Sequence, residues 1–203
     1  MSSGALTQNT TNKVVHHQRG QIILYPGQSR YLYSVISGLV RIHAVDGEGV
    51  GLTLRYVKPG GFFGEEALSS MPRHYFAEAV TDCEIAVLDP GYLSGHDYAA
   101  LTEHLIDAVG RLYRALHRLS GKRLRTRIAA ELLELRDSAL ASRNDRGETV
   151  VQITHDELAA AVGSVRETVT KVVGELARLG AIDSGYGKIV LKDVDLLKAT
   201  AEI

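Results

Sequence analysis

Residues 154–188 read Thr-His-Asp-Glu-Leu-Ala-Ala-Ala-Val-Gly-Ser-Val-Arg-Glu-Thr-Val-Thr-Lys-Val-Val-Gly-Glu-Leu-Ala-Arg-Leu-Gly-Ala-Ile-Asp-Ser-Gly-Tyr-Gly-Lys. The stretch parses as a helix, a tight turn, a second helix and a glycine-rich hairpin. That order is a helix-turn-helix followed by a wing, which places its second helix in the major groove of double-stranded DNA.

Capping chemistry supports the parse. Thr154-x-x-Glu157 is a capping box and starts the first helix near His155. Leu158, Ala159 and Val162 give that helix an apolar face, and Gly163 supplies the positive φ that ends it. Ser164-x-x-Glu167 reads as a second capping box. The second helix is expected to bury Val165, Val169, Val172, Val173 and Leu176. That leaves Arg166, Thr168, Thr170 and Lys171 outward. Gly180 closes the helix, and Ile182 to Leu191 makes a hairpin around Gly185 and Gly187. On pattern alone, two capped helices joined by glycine also fit an ordinary helical bundle.

Arg166-Glu-Thr-Val169 separates those two readings. A turn glycine (Gly163), two residues, Arg-Glu-Thr-Val, one residue and a basic residue (Lys171) resembles the recognition-helix start of one family of bacterial transcription factors. It is the cyclic-AMP receptor protein / fumarate-nitrate regulator family. The likeness continues through the wing, Ser184 to Ile189. It also covers Gly20–Gly27, Leu32–Ile42 and Val57–Glu65, which look like that family's β-roll. A β reading stands without the family. Ile22–Leu24, Leu39–Ile42, Leu52–Val57 and Ile85–Leu88 are short β-rich runs. Gly20, Pro26-Gly27, Gly38, Asp46-Gly47 and Pro59-Gly60-Gly61 punctuate them. Strands so spaced build a barrel or sandwich.

The fold expected is therefore α+β. A flexible N-terminus (1–12) precedes a β-roll like a cyclic-nucleotide-binding jelly roll (13–95). A long dimerisation helix (96–122) and a C-terminal winged helix-turn-helix (123–203) follow. Within the last, Ile128, Leu132, Leu133 and Leu135 belong to its first helix, and Asp137 to Gly147 reads as an exposed loop. The 203 residues suffice for two modest cores. No apolar run approaches the roughly 20 residues of a membrane span, and no signal peptide is evident, so no membrane partner is expected. One cysteine, Cys83, excludes an internal disulfide and fits a reducing cytoplasm.

The net charge of −1 gives no global basic footprint. Basic residues gather locally instead: Arg111, Arg114, Arg118, Lys122, Arg123, Arg125 and Arg127 lie between Val109 and Ile128 with no acidic residue among them. They suit phosphate contact or attraction of DNA, although for Arg111 and Arg114 the solvated face of a long helix is the better reading. Leu105, Val109, Leu112, Leu116 and Leu119 step by 4, 3, 4 and 3, an a/d seam for pairing two helices. The resemblance likewise implies a homodimer through this helix.

The family's nucleotide pocket uses a Gly-Glu pair, an Arg-Ser pair and a Thr-Ser pair. The resemblance carries these onto Gly64-Glu65, Arg73-His74 and Leu112-Tyr113. Two replacements remove hydroxyl donors and add bulk where a base would sit, and Tyr113 keeps one hydroxyl at a different reach. The pocket thus reads as degraded, with Glu65 and Arg73 expected to pair with each other.

No cofactor or metal is implied. One cysteine cannot hold an iron–sulfur cluster. Cys83 has no basic neighbour in sequence and reads as a packed small residue. His16-His17 is a weak metal signal and reads better as a surface pair, and the other histidines lack metal-ligand spacing; eight histidines leave haem open, although none sits in a haem motif. An enzyme such as a cupin-like barrel is the rival class, but His-x-His, nucleophile-elbow, Walker and dinucleotide motifs are all missing.

The reading is a cytoplasmic, homodimeric regulator of transcription, an activator that recruits RNA polymerase from a palindromic promoter site without cyclic AMP. It is nearest the family's effector-independent stress-response members, and a cyclic-nucleotide-gated regulator is the alternative. The residues assigned to DNA are Ser164, Arg166, Glu167, Thr168, Thr170, Lys171 and, in the wing, Lys188. Lys171 stands where the family usually has arginine.

Overall fold

The computed structural model describes residues 13–47, 51–69, 71–121 and 123–202, the side chains of 114–121 excepted. The expectation for residues 1–12 lies outside that range. In the N-terminal part, glycine and proline break the chain into short strands: β1 (Lys13–His17), β2 (Ile22–Leu24), β3 (Gly27–Gln28), β4 (Leu32–Ser37), β5 (Val40–Val45), β6 (Gly51–Val57), β7 (Phe62–Phe63), β8 (Pro72–Arg73), β9 (Phe76–Ala79) and β10 (Cys83–Leu88). They form two four-stranded sheets, β1-β10-β4-β7 and β2-β9-β5-β6, with β3 and β8 as a separate ladder. β10 runs antiparallel between β1 and β4, and Ile85 stands opposite both Val15 and Val35.

Alternation along the strands decides which side chains meet. Val35, Phe63 and Ile85 from the first sheet join Leu24, Ile42 and Ala77 from the second in one buried cluster. The other face of the first sheet presents Leu32, Phe62, Ala86 and Leu88, which pack with Leu101 and the half-buried Leu105. Those two leucines belong to α1 (Gly95–Gly121), so the start of the long helix covers a sheet that is apolar on both sides. Each large side chain so buried contributes about 1.5–3 kcal/mol. Ser94 and Asp97 fix where α1 starts: Asp97 N–H donates to the Ser94 hydroxyl, and Ser94 N–H donates to the Asp97 carboxylate at 2.8 Å. Gly38, at φ 88, makes the turn from β4 to β5, and a Cβ there would sit 2.3 Å from the Asp82 carbonyl oxygen. Only glycine fits.

Packing divides the chain into two compact units. One holds residues up to Ile42 together with Arg55–Leu112; the other holds His43–Leu54 and the chain from Tyr113 onward. The C-terminal part contains α2 (Leu124–Leu135), β11 (Ala141–Arg143), β12 (Thr149–Val151), α3 (His155–Val162), α4 (Arg166–Arg178), β13 (Ile182–Gly185), β14 (Lys188–Leu191) and α5 (Val194–Glu202). Its sheet has the order β11-β12-β14-β13. Ile128, Leu132 and Leu135 of α2 are buried, and Leu133 is partly so.

Two elements depart from the sequence reading. The exposed loop expected from Asp137 to Gly147 contains β11, an edge strand paired with β12. The Asn144 side chain closes this hairpin by accepting from the N–H groups of Arg146 and Glu148. An edge strand buries little, so its polar sequence hid it. The second is α5, whose Leu197 is fully buried.

Among the described residues no helix is long and apolar enough to cross a membrane, and no three His, Cys, Asp or Glu side chains gather to hold a metal ion. Cys83 is buried, with its thiol 3.2 Å from the Thr81 carbonyl; burial pushes its pKa up, as suits a packed small residue.

Candidate nucleic-acid interface

The helix-turn-helix is built by short-range chemistry. Thr154 and Glu157 form a reciprocal capping box at the start of α3: Glu157 N–H donates to the Thr154 hydroxyl at 3.2 Å, and Thr154 N–H donates to the Glu157 carboxylate at 2.7 Å. Gly163 ends α3 at φ 62, and its N–H returns to the Ala159 carbonyl. The second capping box is a correction. Val165 is the N-cap of α4 and no side chain caps it, so Ser164 and Glu167 do not pair. Val165 is exposed and Val172 only partly buried; the buried face of α4 is Val169, Val173 and Leu176. Releasing Glu167 from a capping role leaves its carboxylate on the outer side.

Arg166, Glu167, Thr168, Thr170 and Lys171 are all exposed on α4, and Lys188 is exposed on β14. Ser164 is partly buried in the turn. Two of these side chains already have partners. Arg166 lies 3.2 Å from the Asp156 carboxylate of α3, both well exposed. Such a surface pair contributes only about 0–1 kcal/mol and yields readily to a stronger acceptor. The Thr170 hydroxyl is 2.9 Å from Nδ1 of His155, a contact that sequence spacing did not reveal.

Of the residues aligned with an effector pocket, Gly64, Glu65 and Arg73 bond to their own neighbours. The expected Glu65–Arg73 pair does not form. The Glu65 carboxylate accepts from Arg55 at 2.5 Å and lies 3.6 Å from the His104 ring of α1. The Arg55 guanidinium also reaches Nε2 of His104 at 3.3 Å. Arg73 is buried instead against the Tyr25 carbonyl and the Ser29 hydroxyl, at 3.1 and 3.2 Å, with its guanidinium over the Tyr75 ring. Gly64, at φ 82, donates its N–H to the Tyr75 hydroxyl, which in turn donates to Glu66 at 2.9 Å. Burial and the carboxylates of Glu65 and Glu66 push the Tyr75 phenol far above its ordinary range, so it stays neutral. Burial pushes the Glu65 carboxyl up as well, but the His104 ring and the Arg55 guanidinium outweigh it and hold Glu65 below the usual carboxylate value. His74 is exposed. Arg55 and Tyr75 were invisible as site residues because neither carries a motif.

The expected seam residues on α1 do not all share one environment. Leu105 packs onto the β-sheet core, while Ile106, outside the expected seam, is 68% exposed. Val109, Leu112 and Tyr113 are exposed too. The side chains of Leu116 and Leu119 lie outside the described residues, as do those of Arg114 and Arg118. Arg111 pairs with Asp107 one turn earlier, a solvated helix-face contact.

Known proteins match over nearly the whole length. Residues 14–94 match the cyclic nucleotide-binding domain, and residues 126–200 match the Crp-like helix-turn-helix domain. The chain is 52% identical to the transcriptional regulator SdrP of Thermus thermophilus, covering 94% of this chain and 95% of that one. It is 37% identical to the transcriptional regulator LdrP of the same species, covering 89% and 92%. The crystal structure of a CRP/FNR-family transcriptional regulator, also from Thermus thermophilus, superposes with a TM-score of 0.90 at 52% identity, covering 94% and 99%. These relatives are regulators of transcription and not enzymes.

Removing the partner of a buried carboxylate leaves that charge uncompensated. Arg55→Met should destabilise the protein by about 3 kcal/mol at neutral pH. Glu65 has a depressed folded-state pKa, so its contribution is present above the unfolded carboxylate value and is lost as the pH falls through the folded one. Urea denaturation across pH should therefore show the deficit of Arg55→Met largest near neutrality and shrinking in acid.

Proposed function

The chain belongs to the CRP/FNR family of helix-turn-helix transcriptional regulators, and on that premise we propose that it acts as a homodimer on a palindromic promoter site without a cyclic nucleotide. One observation carries the effector-free reading: Glu65 and Arg73, the two charged residues the family offers to a nucleotide, are both committed to internal partners. A cyclic nucleotide would have to displace the Arg55 guanidinium from Glu65 and then find hydroxyls where the chain has Leu112 and Tyr113.

The exposed face of α4 supports base reading. Arg166 can pair bidentately with guanine O6 and N7, and Glu167 can accept from cytosine N4. Half-sites resembling TGTGA and TCACA follow from the likeness of this helix to the family's. Lys171, a point charge where arginine is usual, discriminates less at its base. Ser164, Thr168 and Lys188 suit phosphates. For the dimer, Ile106, Val109 and Leu112 present an apolar stripe along α1 that a second copy of the helix can cover. A dimer so arranged reads two half-sites, and activation follows from contact with RNA polymerase in the cytoplasm, in the manner of the family's stress-response members.

Gel-shift titration of the unliganded protein on a palindromic site tests the whole reading. Saturating cyclic AMP should change the affinity less than about threefold, under roughly 0.7 kcal/mol of coupling. A gain of about a hundredfold would restore the nucleotide-gated alternative. Leu112→Glu should sediment as a monomer and lose tight DNA binding, because one half-site offers too few contacts; a variant that stays dimeric would place the interface elsewhere. Arg166→Ala should cost about 1–3 kcal/mol and relax the preference at one guanine per half-site. Uniform weakening with the preference intact would move Arg166 to the DNA backbone.

A further inference from the structure

His155 is the first residue of α3 and is only half-buried. Its two ring nitrogens reach different elements. Nδ1 lies 2.9 Å from the Thr170 hydroxyl on α4, and Nε2 lies 3.3 Å from the Ser184 hydroxyl on β13. Among the described residues no other side-chain hydrogen bond joins β13 or β14 to α3 or α4. The wing is otherwise held at its base, where Ile182 and Ile189 are buried, while Asp183, Ser184, Gly185, Tyr186 and Lys188 are exposed. The exposed end of a two-stranded hairpin is free to splay on its own.

We propose that His155 is a positioning residue that fixes the wing against the recognition helix, so that Lys188 and the outer face of α4 meet one DNA duplex in a single geometry. The proposal rests on the DNA-binding reading above. Imidazole suits this role because its nitrogens lie on separate edges of a rigid ring, and the neutral form donates from one and accepts at the other. A hydroxyl can donate or accept, so both tautomers satisfy Thr170 and Ser184 together. The ring also occupies the Thr170 hydroxyl, which turns that residue from a DNA contact into part of the scaffold.

The first arm of the test needs no DNA. Hydrogen exchange on the free dimer should show the amides of residues 184–188 exchanging faster in His155→Ala, with those of α4 unchanged. Ser184→Ala leaves α3 and α4 intact and should loosen the same amides, which covers the case of a His155→Ala protein that folds poorly. The second arm is a double-mutant cycle on a palindromic site. His155→Ala should weaken binding by about five- to tenfold, as expected for the loss of two modest hydrogen bonds, with the base preference kept. In a Lys188→Ala background it should weaken binding by less than about twofold, because the wing contact it positions is already gone. Equal losses in the two backgrounds would make His155 a direct DNA contact and overturn the proposal, as would unchanged exchange in the wing of both variants. If the unaltered protein binds no DNA while its wing still loosens, the DNA-binding reading has failed and the clamp has not.

Discussion

The sheet β1-β10-β4-β7 is apolar on both faces, and that constraint organises the N-terminal part of the molecule. An antiparallel sheet usually turns one face to water. Here Ile85 and Ala86, neighbours in sequence, are both buried, one in the sandwich and one under α1. The sheet is complete only when a helix covers it. A long helix anchored in this way by Leu101 and Leu105 leaves Ile106, Val109 and Leu112 exposed among the described residues.

The same helix supplies His104 to the buried carboxylate of Glu65. Phe62, from the adjoining strand, stacks edge-on against that imidazole at 5.5 Å. A glutamate this enclosed needs a cation, and Arg55 provides it from β6. Charge neutralisation at Glu65 therefore links β6, the turn after Gly64 and α1 in one network. A ligand that recruited Glu65 would have to break a contact the core depends on. Within the part that matches the cyclic nucleotide-binding domain, Glu65 and Arg73 both bond to groups of the chain itself.

Local chemistry was legible in the sequence and long-range pairing was not. The Thr154–Glu157 box, the turn at Gly163 and the hairpin around Gly187 all depend on neighbours within a few residues, and each could be read directly. Ser164-x-x-Glu167 has the same pattern as the genuine box, but the backbone placed Val165 at the N-cap instead, so the spacing alone could not discriminate. Partners of buried charges are chosen by the fold: Glu65 met Arg55, 10 residues before it, and Arg73 turned to a carbonyl 48 residues away. The strand β11 and helix α5 were missed because an exposed edge strand and a short final helix carry little hydrophobic pattern. On the exposed face of α4 the residue types were readable, but the bridge from His155 to two hydroxyls was not.

The ion pair of Arg166 with Asp156 bears on how the protein finds its site among wrong ones. Non-specific attachment to DNA is almost wholly a matter of phosphate neutralisation. The net charge is −1, and Arg166 on the exposed face of α4 shares its charge with the Asp156 carboxylate. Any acceptor that engages Arg166, a phosphate or a base edge, must first compete with Asp156. A pair this exposed opposes either contact by only about 0–1 kcal/mol. Discrimination across a genome is set by the ratio of specific to non-specific affinity, not by the tightness of the final complex.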